Sequence, residues 1–332
     1  MESISCPNIT IVGSLNADLV TYTSRLPLPG ETLTAHAFHT GPGGKGANQA
    51  VACGRLTRPS TWSQNHDSKP LAHVNMIGAV GEDLHGDMLV ESLQKNGVAI
   101  DGISRAQGHF TGIAIIIVEE TTGENRILLS PGANGTLRPE RFTDLPSPLP
   151  QLIILQLEIP LHTVLRILST AKKQGVLILL NPAPAQQLPD SAYACVTHLI
   201  MNETEAGILA ASEEDRPLRV ESREDLRRAA DRFHASGVSN VIVTLGAKGV
   251  YFSTSKTGMQ REHDGLVSAQ KVKVIDTTAA GDTFVGAYAV EVVRHSGNFD
   301  IQAAVERANN IAAWTVQRKG AQESIPWLDT LG

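Results

Sequence analysis

Short runs of consecutive apolar residues alternate with stretches of helical periodicity along most of this chain, and no feature restricts its fold more. The runs "NITIVGS" at 8–14, "HVNMIGAVG" at 73–81, "LIILQLE" at 152–158, "VLILLNPAP" at 176–184 and "NVIV" at 240–243 read as strands. Between and after them, "GANQAVACGRL" at 46–56, "HGDMLVESLQKNG" at 85–97, "LHTVLRILSTAKKQG" at 161–175 and "SREDLRRAADRFHASGV" at 222–238 read as helices. So do the C-terminal stretches "TTAAGDTFVGAYAVEVVR" at 277–294 and "DIQAAVERANNIAAWTVQR" at 300–318. A strand without polar alternation is buried on both faces. The fold class is therefore α/β, a mostly parallel central sheet with helices on both faces.

Two stretches break the pattern. Residues 15–42 alternate apolar with polar and carry Pro27, Pro29 and Gly30, while 108–131 holds a hairpin, "GIAIIIVEETTGENRILLS", turning at Thr122-Gly123. Both suit a small, half-exposed sheet apart from the main one, so the chain is expected to be one domain, 1–332, with a discontinuous second sheet. Residues 57–73, "TRPSTWSQNHDSKPLAH", are polar and proline-broken, and read as a surface insertion.

Composition excludes several function classes. The 332 residues carry a formal net charge of −6 and no basic block, which argues against a nucleic-acid or acidic-membrane partner. Three scattered cysteines, Cys6, Cys53 and Cys195, make neither a disulfide framework nor a zinc site. Eleven histidines include no ligand-spaced pair. The N-terminus lacks a charged n-region with an apolar core, and runs such as "GIAIIIV" are too short to span a bilayer. A cytoplasmic location is expected, with the nucleus open.

"GPGGKGANQA" at 41–50 looks like a phosphate cradle. Gly41, Gly43 and Gly46 fit G-x-G-x-x-G, and Asp67 lies about 20 residues on, but the loop follows polar sequence rather than the first strand. A P-loop needs Ser or Thr after Gly-Lys, where this chain has Gly46. The residues alone say only that a binding site sits at a helix N-terminus.

"VIDTTAAGDTFVGAYA" at 274–289 says more. A strand is expected to end at Asp276 and a helix to begin near Gly281-Asp282, so that freed N–H groups converge where an anion would be held. Asp282 could face that group, or merely cap the helix.

These two segments match the signatures of the pfkB carbohydrate kinases. "VGSLNADLV", "LPLPGETL", "GENRILLSPGAN", "LQLEIP", "NPAPA", "MNETEA", "VTLGAKGVY" and "RKGAQESIP" extend the resemblance to the ribokinases, in order, from about residue 9 to 327. The resemblance implies a ribokinase-like fold whose small sheet is a lid, and an ATP-dependent kinase that phosphorylates the 5-hydroxyl of D-ribose. It implies a sugar site at Asn16, Ala17, Asp18, Gly44, Lys45, Gly46, Ala47, Asn48, Glu158 and Asp282. Asp282 would be the general base, with an anion hole at Ala279, Ala280, Gly281 and Asp282.

For ATP it implies Asn202, the turn Thr244, Leu245, Gly246, Ala247, Lys248 and Gly249, then Gly281, Asp282 and Asn309. Mg2+ would be organised through water by Asn202 and Glu205. K+ would lie among Asp276, Thr278, Thr315, Arg318, Gly320 and Ser324, mostly on backbone carbonyls; Thr315 stands where ribokinases often have Ala. A homodimer paired through the lids is implied as well. The alternatives are another sugar or nucleoside kinase of the family and a non-catalytic sugar-binding regulator. The lid stretches offer only Tyr22, Phe38 and Phe110 as aromatic cover for a nucleobase, and Asp282 and the anion-hole residues are intact.

Overall fold

The apolar runs become the strands of one nine-stranded sheet. The computed structural model describes residues 6–63, 69–122, 124–211, 219–256 and 260–331. In chain order the strands are β1 (Asn8–Val12), β2 (Asn16–Thr23), β3 (Ala37–Gly43), β4 (His73–Gly81), β5 (Ala99–Ala106), β6 (Gly112–Glu119), β7 (Asn125–Ser130), β8 (Leu152–Leu155), β9 (Leu177–Leu180), β10 (His198–Asn202), β11 (Asn240–Thr244), β12 (Val250–Thr254) and β13 (His263–Val267). The helices are α1 (Lys45–Leu56), α2 (Leu84–Lys95), α3 (Leu161–Lys173), α4 (Asp190–Tyr193), α5 (Glu203–Leu209), α6 (Arg223–Ala235), α7 (Ala280–Arg294) and α8 (Ile301–Thr315).

The main sheet runs β13-β12-β11-β10-β9-β8-β1-β4-β5. It is parallel from β11 to β5, with β12 and β13 added antiparallel at one edge. Each strand feeds two cores. Ile9 and Ile11 of β1 join Leu152 and Ile154 of β8 under α1, α2, α7 and α8, whereas Val12, Ile153 and Leu155 face α3, α5 and α6. Burying each such side chain stabilises by about 1.5–3 kcal/mol, so a charge at Ile154, which is fully buried, would break the sheet.

The second sheet runs β3-β2-β6-β7, drawn from both stretches that alternate in sequence. It is half-exposed, with Phe38, Ile115, Ile127 and Leu128 all open to solvent. α1 and α7 cross closely because Gly286 has no side chain; a Cβ there would lie 2.4 Å from that of Ala52. This crossing sets the start of α7 beside the start of α1.

Some expectations need correcting. The run 152–158 is extended only to Leu155, since the chain turns away to present Gln156 and Glu158 at the sheet end. Residues 271–279 form no strand; Ile275 and Asp276 instead donate to Val316 O after α8. β5 and β13 were not legible, being edge strands with mixed exposure. In the 57–73 stretch, Leu71 donates to Thr57 O and Ser60 bonds to Asp329. Its residues 64–68, with Asp67, and the hairpin tip at Gly123 lie outside the described residues.

Candidate active site

Two helix N-termini meet here, and their free donors are treated oppositely. Gly44, at φ 88°, caps α1 without a side chain, and a Cβ there would strike the backbone of Asn16. The first-turn donors of α1 are all used. Lys45 N donates to Glu158 Oε2 (3.1 Å), Gly46 N to Ser14 Oγ (3.3 Å) and Ala47 N to Ser14 O (2.9 Å). Ser14 Oγ in turn donates to Glu158 Oε2 (2.6 Å), and Asn16 Nδ2 reaches the same oxygen at 3.4 Å. The first glycine loop therefore offers no nest of unpaired N–H groups for phosphate; it builds a carboxylate-centred pocket floor.

At α7 the reverse holds. Its cap, Ala279, sits in the left-handed region at φ 59° with no side-chain cap bond. An alanine there costs about 1–2 kcal/mol, strain of the kind that collects at functional sites. Ala280 N donates to Thr277 O, but the N–H groups of Gly281 and Asp282 have no acceptor among the described residues. Both point from a helix start, where the dipole favours an anion.

Asp282 sits between these ends, only 8% exposed. Its Oδ2 accepts from Asn48 Nδ2 (3.0 Å) and its Oδ1 from Gln49 Nε2 (2.9 Å), both on α1. Its carboxylate is thus oriented from α1, and it accepts no capping bond from its own helix start among the described residues.

Asp18, on β2, shares a face of the small sheet with Ala114 and Leu129 through the pairing register. Its carboxyl is pushed up to about 7, by burial first and then by Glu158, Asp282 and Glu323. Gly43 makes room for it, since a Cβ there would lie 2.1 Å from Asp18 Oδ2. Ala17 is buried beside it. Burial alone would lower the ammonium pKa of Lys45, but Asp282, Glu158 and Glu205 outweigh it and raise the value. A cleft of about 340 Å³ opens from Asn16 and Glu158, walled by Leu129, Pro131, Ile159 and Pro160.

The expected nucleotide residues fall at the ends of β10 and β11, where Asn202 and Thr244 are register partners. Asn202 and Glu205 form a capping box on α5, each side chain accepting from the other's backbone N–H at 2.8 Å. Burial raises the Glu205 carboxyl pKa. Gly246 and Gly249 both have positive φ in the 245–249 turn, and Lys248 reaches Glu203 at 3.6 Å. Leu245 N closes this turn on Gly249 O, with Ala247 at its tip. Asn309 holds Ser268 O (2.9 Å), next to the end of β13.

The expected cation residues lie on two joined segments. Asp276 accepts from Thr278 N and Oγ1 through one oxygen and from Gly320 N (3.0 Å) through the other. Thr315 Oγ1 donates to Thr283 Oγ1 of α7, tying this region to the helix of Asp282. Arg318 lies over the Trp314 ring, and Ser324 Oγ donates to Ala321 O.

The family model for the pfkB carbohydrate kinases matches residues 7–328. The chain belongs to the pfkB family of carbohydrate kinases. Within it, the chain is 42% identical to a ribokinase of Schizosaccharomyces pombe over 97% of this chain and 95% of that one. It is 38% identical to a deoxyribokinase of Salmonella typhi, over 97% and 96%. A structure of Arabidopsis thaliana ribokinase complexed with ribose and ATP superposes with a TM-score of 0.82 at 29% identity, over 98% of this chain and 97% of that one.

Sequence reasoning missed several polar residues of this pfkB site. Ser14, Gln49, Asn134, Gln156, Asn181, Gln322 and Glu323 all contact or flank it. Asn134, buried, accepts from Leu15 N (2.9 Å) and donates to Leu15 O (3.0 Å) and Asn16 Oδ1 (2.8 Å), fixing the base of β2. Several sit inside recognisable blocks such as "SPGAN" and "NPAPA". The bonds from Leu15 to Asn134, from Gln49 to Asn181 and from Gln156 to Gln49, however, each span 100 or more residues, so no local spacing could reveal the role.

Proposed function

We propose that this protein transfers the γ-phosphoryl group of ATP to the 5-hydroxyl of D-ribose, giving D-ribose 5-phosphate and ADP. The observation that carries this reading is the placement of Asp282, at the start of a helix with open N–H groups and hydrogen-bonded to the first turn of α1. A hydroxyl held over α1 faces the carboxylate, and a phosphoryl group held at α7 faces the same point. Asp282 takes the hydroxyl proton as the oxygen attacks phosphorus, and the bond to ADP breaks. The N–H groups of Gly281 and Asp282 receive the charge on the phosphoryl oxygens. Asp18, Asn16, Asn48 and Glu158 bind the hydroxyls; Gly44 to Ala47 and Ala17 shape the floor and wall beneath them.

ATP is assigned to Asn202, Thr244–Gly249 and Asn309. Mg2+ would neutralise charge on the ATP phosphates when bound. No cluster of three His, Cys, Asp or Glu side chains occurs among the described residues, so Asn202 and Glu205 would hold the hydrated ion through its water. K+ would be held by oxygens of Asp276, Thr278, Thr315, Arg318, Gly320 and Ser324, on segments that Asp276 already joins. The small sheet serves as the lid of a single ribokinase-like domain, and its exposed apolar residues favour pairing with a second copy. The partners are thus small molecules rather than nucleic acid or membrane, which suits the cytoplasm.

The similarity to a deoxyribokinase supports a second reading, in which 2-deoxyribose is the acceptor. ADP release on a panel of ribose, 2-deoxyribose, hexoses and nucleosides separates the two. Ribose is expected to give the highest kcat/KM; preference for 2-deoxyribose or a nucleoside would overturn the substrate assignment.

A further inference from the structure

Gln49 is fully buried on α1, and neither glycine turn nor sugar contact accounts for it. Its amide is the centre of a chain with one internal polarity. Asn181 Nδ2 donates to the backbone carbonyl of Ile200 on β10 (2.9 Å), which leaves Asn181 Oδ1 pointing at Gln49. Gln49 must therefore present its NH2 group, and Nε2 donates both to Asn181 Oδ1 (3.0 Å) and to Asp282 Oδ1 (2.9 Å). Gln156 Nε2 donates to Gln49 Oε1 (2.6 Å) from the other side. Reversing any one amide would set oxygen against oxygen at the next link, so a strand carbonyl dictates which end of Gln49 faces Asp282. Gly13 leaves space for this chain, because a Cβ there would lie 2.0 Å from Gln156 Oε1.

We infer that Gln49, locked by Asn181 and Gln156, is a positioning residue for Asp282, fixing the carboxylate plane so that Oδ2 is presented to the acceptor hydroxyl. The inference rests on Asp282 being the base. With Oδ1 held by Gln49, only rotation about an anchored oxygen remains, and Asn48 limits that through Oδ2.

The test compares Gln49→Met and Gln156→Met with the wild type and with Asp282→Asn, measuring kcat and ribose KM. Gln49→Met keeps the volume and removes the donor. It is expected to lower kcat by about 10–100-fold and to leave ribose KM within about threefold. Gln156→Met removes one of the two amides that hold Gln49 and loosens it, with the same signature at about 3–10-fold. A merely structural role would lower the yield of folded protein or change kcat and KM together, and that result overturns the inference. If Gln49→Met does not fold, the kcat-against-KM split of Gln156→Met decides alone. Retained activity in Asp282→Asn would show instead that the base assignment has failed.

Discussion

Two carboxylates respond to their surroundings in different ways, and each gives a measurable consequence. Asp282 accepts two side-chain hydrogen bonds at a helix start. Asp282→Asn keeps the shape and loses the base, so kcat should fall by about 10²–10⁴ with ribose binding largely kept, as read by steady-state kinetics and calorimetry. Asp18 is buried and sits among like charges, and its carboxyl is pushed up to about 7 by burial first and then by those charges. The folded protein therefore holds a proton there that the unfolded chain releases near pH 4. The stability it contributes is full below that pH and is lost as pH rises through about 7. Asp18→Asn should raise the melting temperature of the sugar-free protein more at pH 8 than at pH 5. It should also weaken ribose binding by about 10–100-fold, the cost of a hydrogen bond to a charged group. An equal shift at both pH values would contradict the assignment. At this scale the sequence was legible through its motifs: Asp18, Asn48, Glu158 and Asp282 were all singled out, and they come together. Gln49, Asn134, Gln156 and Asn181 were not, because their function is to satisfy and orient other polar groups across the fold.

Local elements turn those residues toward one another. The two glycine segments look alike in sequence, yet α1 spends its first-turn donors on Glu158 and Ser14 while α7 leaves two open. Sequence could place both helix starts; it could not count their unpaired N–H groups, since the acceptors come from the turn after β1 and from the turn after β8. The expected strand before α7 failed for a related reason. The apolar residues Val274 and Ile275 read as a strand in sequence, but Ile275 and Asp276 donate to Val316 O after α8 instead of to a sheet neighbour. Gly43 on β3 tests how far the small sheet sets up the site. Gly43→Ala would push the Asp18 carboxylate aside, so ribose KM should rise about tenfold or more while the melting temperature changes little. A wild-type KM would show that Asp18 does not contact the sugar.

Over the whole molecule, the alternation of apolar strands and helices foretold the parallel core, and the polar alternation of 15–42 and 108–131 foretold the second sheet. Edge strands β5 and β13 escaped because mixed exposure erases both signals. The second sheet leaves Phe38, Ile115, Ile127 and Leu128 exposed, an apolar surface that pairing of two copies would cover. Light scattering at micromolar concentration should give twice the 35.4 kDa chain mass; a monomer would contradict that assembly. All of these elements converge on one reaction. The most direct measurement follows 31P NMR spectra of ribose, ATP, Mg2+ and K+ with the wild-type protein and with Asp282→Asn. The account predicts a phosphomonoester at the 5-position of ribose, formed with ADP one for one by the wild type and nearly absent with the variant. ATP hydrolysis without a sugar phosphate, or equal product from the variant, would contradict it.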